Sequence, residues 1–376
     1  MRRIIIAPDS YKGTLSAIEA CNIIEKAALE SFPQLTVVKL PMSDGGEGFA
    51  DSMYYSCGGE KVTVEVKDPL WRDIRASYVI LQDGTAVIEM AAASGLTLLR
   101  KEERNPLETT SYGTGQLIAH ALEKGCERII LGLGGSATND GGIGMGAALG
   151  MRFLNGNEEV PLSGKGMEAI DTLDCSEIHP GLKKAQITIA CDVTNPMYGE
   201  NGAAYVFGPQ KGADQDEVKR LDFGLRNFAK VIDRSIDFKV EDIPGSGAAG
   251  GMAGFLLAFA NAKLRPGLDI VLEAMQFEKH LKDCDLVITG EGRTDRQSAM
   301  GKVISGIGSR TKKYGIPLVV LSGTLEEGSE MLYEAGVTAM FSACRNLTDQ
   351  EELLKNAETN LYNAAKNLFR LLKYTK

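Results

Sequence analysis

The stretch "GLGGSATNDGG" (132–142) sets Ser136, Thr138, Asn139 and Asp140 among glycines, directly after an apolar run. Glycines let backbone N–H groups approach an anion, and a helix starting just beyond adds its partial positive charge. Ser136 and Thr138 contribute hydroxyl donors. Capping the following helix would need one polar residue rather than four, so the pattern favours a phosphate cradle. Gly132, Gly134 and Ala137 also satisfy G-x-G-x-x-G/A, which announces a dinucleotide fold where a second strand ends in an acid about 20 residues on. Here "MRFLNGNEEVPLSG" (151–164) offers no convincing strand. An NAD(P)-dependent dehydrogenase of a small hydroxy acid is therefore the alternative.

Four other stretches carry acids or bases beside glycine. "APDSYKG" (7–13) places Asp9, Ser10 and Lys12 in the turn after an apolar run, where a lysine can meet phosphate or carboxylate. "PMSDGGEGFADSM" (41–53) holds Asp44 and Glu47, which fit a capping box, yet two glycines between them are costly in a first helical turn unless something approaches the backbone. In "ACDVTNPMYGENGAAYVFGPQKGA" (190–213) Asp192 follows a strand directly and suits a general base or a metal ligand. Asp-x-x-Asn is equally good turn chemistry. "TGEGRTDRQSAMGK" (289–302) repeats the theme with Glu291, Arg293, Asp295 and Lys302. "PGSGAAGGMAGFLLAFANA" (244–262) reads as a glycine turn into a tightly packed helix.

Stepping from these residues to the elements that hold them, apolar β-branched runs read as buried strands at 3–7, 35–40, 128–133, 187–191, 285–290, 316–323 and 337–342. Most alternate with helical patterns, the signature of βαβ units. Ser16 and Glu19 predict a capping box for a helix reaching about Ser31. After residue 60 the texture changes to two or three short strands with "QDGT" as a hairpin turn. Residues 151–185 read as loop-rich, with no clear element. The expected organisation is an outer domain of 1–60 plus 281–376, with 61–280 inserted, and an active site in the cleft between them. In open α/β sheets the loops at strand carboxyl ends converge on one crevice. Glycine-rich anion sites beside several acids suit Mg²⁺-assisted phosphoryl transfer, the acids holding metal and the donors neutralising the moving group. No G-x-x-x-x-G-K-[ST] loop and no protein-kinase H-R-D loop is present.

Composition narrows the classes. A formal charge of −9 argues against a general nucleic-acid or anionic-membrane binder. No window approaches a membrane span of roughly 18 apolar residues, and "MRRIIIAPDS" is too short in its apolar run for a signal peptide. Seven scattered cysteines without CxxC spacing point to reduced thiols and a cytoplasmic location.

Taken in order, "APDSYKGTLSA", "MSDGGEG", "VIEMAAASGL", "TTSYGTGQLI", "GLGGSATNDGG", "CDVTNPMYGENGAAYVFGPQKGA", "GSGAAGGMAG" and "GEGRTDRQSAMGK" resemble the bacterial glycerate kinases of the first type, over essentially the whole chain. The departures are Tyr11 for phenylalanine, and Phe49 and Ser298 where threonine is common. The resemblance implies an α/β fold, a Rossmann-like parallel-sheet domain with a second α/β subdomain inserted. It also implies ATP and Mg²⁺, D-glycerate as the small-molecule partner, and 2-phosphoglycerate as the usual product, with a kinase giving 3-phosphoglycerate as an alternative. A homo-oligomer stays open. On this reading Asp192, Lys12 and Lys302 are the catalytic candidates, and Gly134, Gly135, Ser136, Thr138 and Asn139 cradle phosphate. Asp44, Ser94, Thr110 and Arg293 face substrate. Asp192 and Asp295 are candidates for Mg²⁺.

Overall fold

A computed structural model describes residues 1–299, 302–344 and 350–374. Met300 and Gly301 of the "GEGRTDRQSAMGK" stretch lie outside the described residues. The chain divides into two compact units, one of residues 1–44, 51–57 and 268–376, the other of 45–50 and 58–267.

The first unit is built on a five-stranded sheet in which every pairing is parallel. Its strands run spatially as Ala339–Ser342, Leu318–Ser322, Leu286–Thr289, Arg3–Ile6 and Thr36–Lys39. Numbered along the chain, that is the doubly wound order 2-1-3-4-5, and the order reverses between Arg3–Ile6 and Leu286–Thr289. Both strands are almost wholly apolar and buried, as parallel strands covered on two faces must be. The helix Ala17–Ser31 starts where expected. Ser16 Oγ accepts from Glu19 N while the Glu19 carboxylate accepts from Ser16 N, at 3.2 and 2.8 Å. Ala17, Ala20, Cys21, Ile24, Ala27 and Ala28 fall on one helical stripe, and this face packs with Leu361, Ala365, Leu368 and Phe369 of the Ala357–Tyr374 helix in the core under the sheet.

The second unit holds a six-stranded mixed sheet, ordered Lys263–Arg265, Gln186–Ala190, Arg128–Gly132, Thr85–Glu89, Asp73–Leu81 and Gly59–Lys67. The first four pair in parallel and the last three antiparallel. "QDGT" makes the expected tight turn, with Gly84 at φ +79° and its N–H donated to Leu81 O at 2.9 Å. The 151–185 expectation is corrected. Arg152–Asn155 and Glu158–Glu159 form strands and join Thr172–Asp174 in a three-stranded antiparallel sheet. These strands are short, and Phe153 is the one fully buried side chain among them, so no alternation of apolar and polar residues marks them in sequence. The segment 45–50 belongs to this unit. Phe49 is fully buried, and Ala50 N donates to the Glu89 carboxylate at 2.7 Å.

Candidate functional site

In a doubly wound sheet the ligand crevice opens beyond the strand ends where the order reverses. Here that point is flanked by the loops after Arg3–Ile6 and Leu286–Thr289, and it holds a cavity of about 350 Å³. Backbone bonds lock the two strand ends together, Ala7 N to Ile288 O at 2.7 Å and Asp9 N to Gly290 O at 2.8 Å. Glycine is required at position 290, because a Cβ there would lie 1.8 Å from Leu321 O. Tyr11 is buried and donates its hydroxyl to Leu321 O at 2.6 Å, which fixes the turn that carries Lys12.

Of the residues expected from the sequence, Lys12, Asp44, Arg293, Asp295 and Lys302 all line this cavity. Asp9 and Glu291 join them. Burial, with Asp44 and Glu291 close by, pushes the Asp9 carboxyl up to about 7. Glu291 is also raised by burial, against hydrogen bonds from Ser298 Oγ at 2.5 Å and Thr294 Oγ1 at 3.2 Å that favour its charged form. Asp295 goes the other way. Arg293 Nη2 donates to its Oδ2 at 3.0 Å and holds it below the usual carboxylate range. Its Oδ1 accepts from Gln297 N at 2.8 Å, so both oxygens of this metal candidate are already engaged. Lys302 Nζ donates to Gln297 Oε1 at 3.5 Å. Leu353, Leu354, Ala357 and Leu361 add apolar lining to the cavity.

The remaining candidates lie in the second unit. Gly134 and Gly135 stand in the turn beyond the Arg128–Gly132 strand, with Gly135 at φ +76°. Ser136 is 9% exposed, and Thr138 and Asn139 are fully buried. Thr138 Oγ1 and both amide atoms of Asn139 have no hydrogen-bond partner. Buried polar atoms left unpaired cost free energy and call for a ligand or water; the Thr138 hydroxyl and Asn139 Nδ2 are donors that fit a phosphate, whereas Asn139 Oδ1 can only accept. Asp140 has the structural task instead. Its carboxylate accepts from Ser111 N and Oγ and from the amides of Gly142 and Gly144. The glycines at 45 and 46 serve close packing, since a Cβ on Gly132 would meet Gly45 O at 2.7 Å and one on Gly134 would meet Gly46 Cα at 2.7 Å.

Ser94 and Thr110 are both fully buried. Ser94 Oγ bonds Thr114 Oγ1 at 2.7 Å, and Ser94 O accepts from Ala137 N at 2.9 Å. Thr110 Oγ1 accepts from Tyr112 N at 3.2 Å. Both stand behind the glycine loop as part of its frame. Asp192 follows the Gln186–Ala190 strand, is exposed, and accepts from Gly267 N at 3.2 Å. The dinucleotide alternative is corrected by the loop itself. A G-x-G-x-x-G fingerprint opens directly into a helix, whereas here the helix Ile143–Ala148 begins well after Ala137 and is a six-residue piece. Asp9 and Glu291 were named in the sequence without a role. Their signal is position, each standing just beyond a strand, and it becomes legible only when the strand order is known.

Two α/β units, one with an acid-and-base cavity at its switch point and the other with a glycine loop of unpaired donors, describe an enzyme for small anionic substrates. The Glycerate kinase family profile matches residues 4–373. A glycerate kinase of Bacillus cereus is 46% identical over 368 residues, 97% of each chain, and a glycerate 2-kinase of Escherichia coli is 45% identical with the same coverage. A crystal structure from Salmonella typhimurium LT2, provisionally assigned as glycerate kinase 2, superposes with a TM-score of 0.87 at 44% identity, covering 99% of this chain and 98% of that one. This chain belongs to the glycerate kinase family.

Proposed function

We propose that the protein transfers the terminal phosphoryl group of ATP to the 2-hydroxyl of D-glycerate, giving 2-phosphoglycerate. The observation that carries the reading is the convergence of Asp9, Asp44 and Glu291 with Lys12, Arg293 and Lys302 in one cavity of a glycerate kinase family member. Asp9 is the general base on the glycerate hydroxyl. Its raised pKa suits proton abstraction near neutral pH, where base catalysis is worth roughly 10²–10⁴-fold. Asp192 is the competing candidate, at a strand end but exposed. Lys12 and Lys302 answer the glycerate carboxylate and the transferring phosphate, with Arg293 at the rim. The 134–139 turn cradles the ATP phosphates through Gly134, Gly135, Ser136, Thr138 and Asn139.

The hard oxygen donors of the cavity fit Mg²⁺, with Asp44 and Glu291 as its carboxylates. Mg²⁺ commonly takes one or two carboxylates and completes its shell with phosphate and water. When bound, Mg²⁺ neutralises phosphate charge. Among the described residues no helix is long and apolar enough to cross a membrane. No disulfide joins the cysteines, which supports a cytoplasmic setting.

The test is ADP release with D-glycerate and Mg·ATP, with the product identified by ³¹P NMR. A phosphorus signal split by one proton is expected, because the 2-phosphate sits on a CH carbon. Splitting by two protons means the 3-phosphate and refutes the regiochemistry. Absence of ADP release refutes the substrate.

A further inference from the structure

We propose that Lys211 is a positioning residue for the glycine loop, its ammonium pinning the Thr138 carbonyl so that the donors around it face an anion. The inference rests on reading the 134–139 turn as the cradle of the ATP phosphates.

Lys211 ends the short turn Pro209–Lys211 and is 2% exposed, a position where lysine is almost never found without a partner. Its Nζ donates to Thr138 O at 2.6 Å. The buried Asp140 is its electrostatic counterpart, while burial lowers the ammonium pKa to about 7. The Asp140 carboxylate accepts from Ser111 and from the amides of Gly142 and Gly144, while the lysine's hydrogen bond goes to Thr138 O. The lysine therefore spends its charge on a loop carbonyl.

In a planar trans peptide the carbonyl and the next N–H point in opposite directions. Fixing Thr138 O at Lys211 thus turns the Asn139 N–H away from the lysine. Next to this peptide lie the unpaired Thr138 hydroxyl and the unpaired Asn139 amide, both fully buried. The chain around them leaves space for the arrangement at some cost. A Cβ on Gly250 would lie 2.3 Å from Thr138 O, and one on Gly212, which follows the lysine at φ +101°, would lie 2.2 Å from Arg104 O. A buried lysine, the carbonyl it fixes and the unpaired donors beside it make a preorganised turn suited to a phosphate.

The experiment measures calorimetric affinity of the full-length protein for ADP and for adenosine, together with KM for glycerate. Lys211→Met is expected to weaken ADP about tenfold, the equivalent of one charge-assisted hydrogen bond, and to leave adenosine and the glycerate KM within about twofold. Parallel loss of ADP and adenosine affinity, or no loss of either, overturns the proposal. Lys211→Gln keeps an N–H on a side chain one atom shorter, and serves also if the Met variant does not fold. It is expected to lose at least about threefold for ADP but less than Met. Wild-type ADP affinity in the Gln variant, or Gln no better than Met, overturns the positioning role. Ser136→Ala and Asn139→Ala separate the two readings. If both bind ADP normally the cradle itself is wrong and the proposal falls with it, whereas weakened ADP binding there with intact binding in Lys211→Met sinks the positioning role alone.

Discussion

A carboxylate that takes a proton from a hydroxyl near neutral pH needs a pKa close to that pH, and in a folded chain such a shift has a thermodynamic cost. Asp9 is raised from 3.8 to about 7, chiefly by burial. Well below 3.8, at about pH 3 and under, it is protonated in both folded and unfolded chains and makes little difference to stability. Between about pH 4 and 7 the unfolded chain releases the proton while the folded chain keeps it, so stability falls as pH rises. Above 7 the full cost stands, on the order of 4 kcal/mol for a shift of this size. Asp9→Asn should therefore raise the melting temperature at pH 8, change it little at about pH 3, and lower kcat roughly 10²–10⁴-fold. In the wild-type protein kcat should rise with pH as Asp9 loses its proton, and it should do so at lower pH when Mg²⁺ neutralises Asp44 and Glu291. If Asp9→Asn turns over normally and Asp192→Asn does not, the base is Asp192. Either carboxylate can be picked from sequence as an acid after an apolar run. Only the packed structure distinguishes a partly buried acid beside Asp44 and Glu291 from an exposed one that caps Gly267 N.

At the scale of elements, the two glycine stretches explain each other. "SDGGEG" and "GLGGS" each looked like a place for a ligand, because glycine pairs are poor helix starters and good anion neighbours. In the second unit part of their purpose is mutual contact, with backbone against backbone at Gly46 and Gly134. Gly134→Ala sets a Cβ 2.7 Å from Gly46 Cα, an atom that cannot swing aside as a side chain would. The expected loss is about 1–3 kcal/mol in denaturant unfolding, with a raised KM for ATP because the cradle shifts with its neighbour. Unchanged stability would mean that the two loops separate without cost. The capping box at Ser16 and the "QDGT" turn were legible because each is closed within four residues. The sheet at 152–174 was not, since its pairing depends on partners that no local pattern reveals.

On the scale of the molecule, residues 45–50 join the second unit although the chain on either side belongs to the first. A fragment of 58–267 lacks Phe49, fully buried, and the Ala50 N–H bond to Glu89. Loss of a buried phenylalanine is worth roughly 1.5–3 kcal/mol, so this fragment should melt about 5 °C or more below one spanning 45–267. Equal melting temperatures would show that the arm adds nothing. The sequence by itself determined the strands at 3–7, 128–133, 187–191 and 285–290, the helix from Ser16, the glycine turn after the 128–133 strand and the family resemblance. All of these are local: side-chain period, turn chemistry and motif order are written within a few residues. Tertiary structure alone decided that Arg3–Ile6 pairs with Leu286–Thr289 and so makes the switch point. The same long-range packing set Asp9, partly buried, beside Asp44 and Glu291 and hid Lys211 under Thr138. Strand order and burial are set by the joint packing of segments far apart in the chain, which no single stretch of it records.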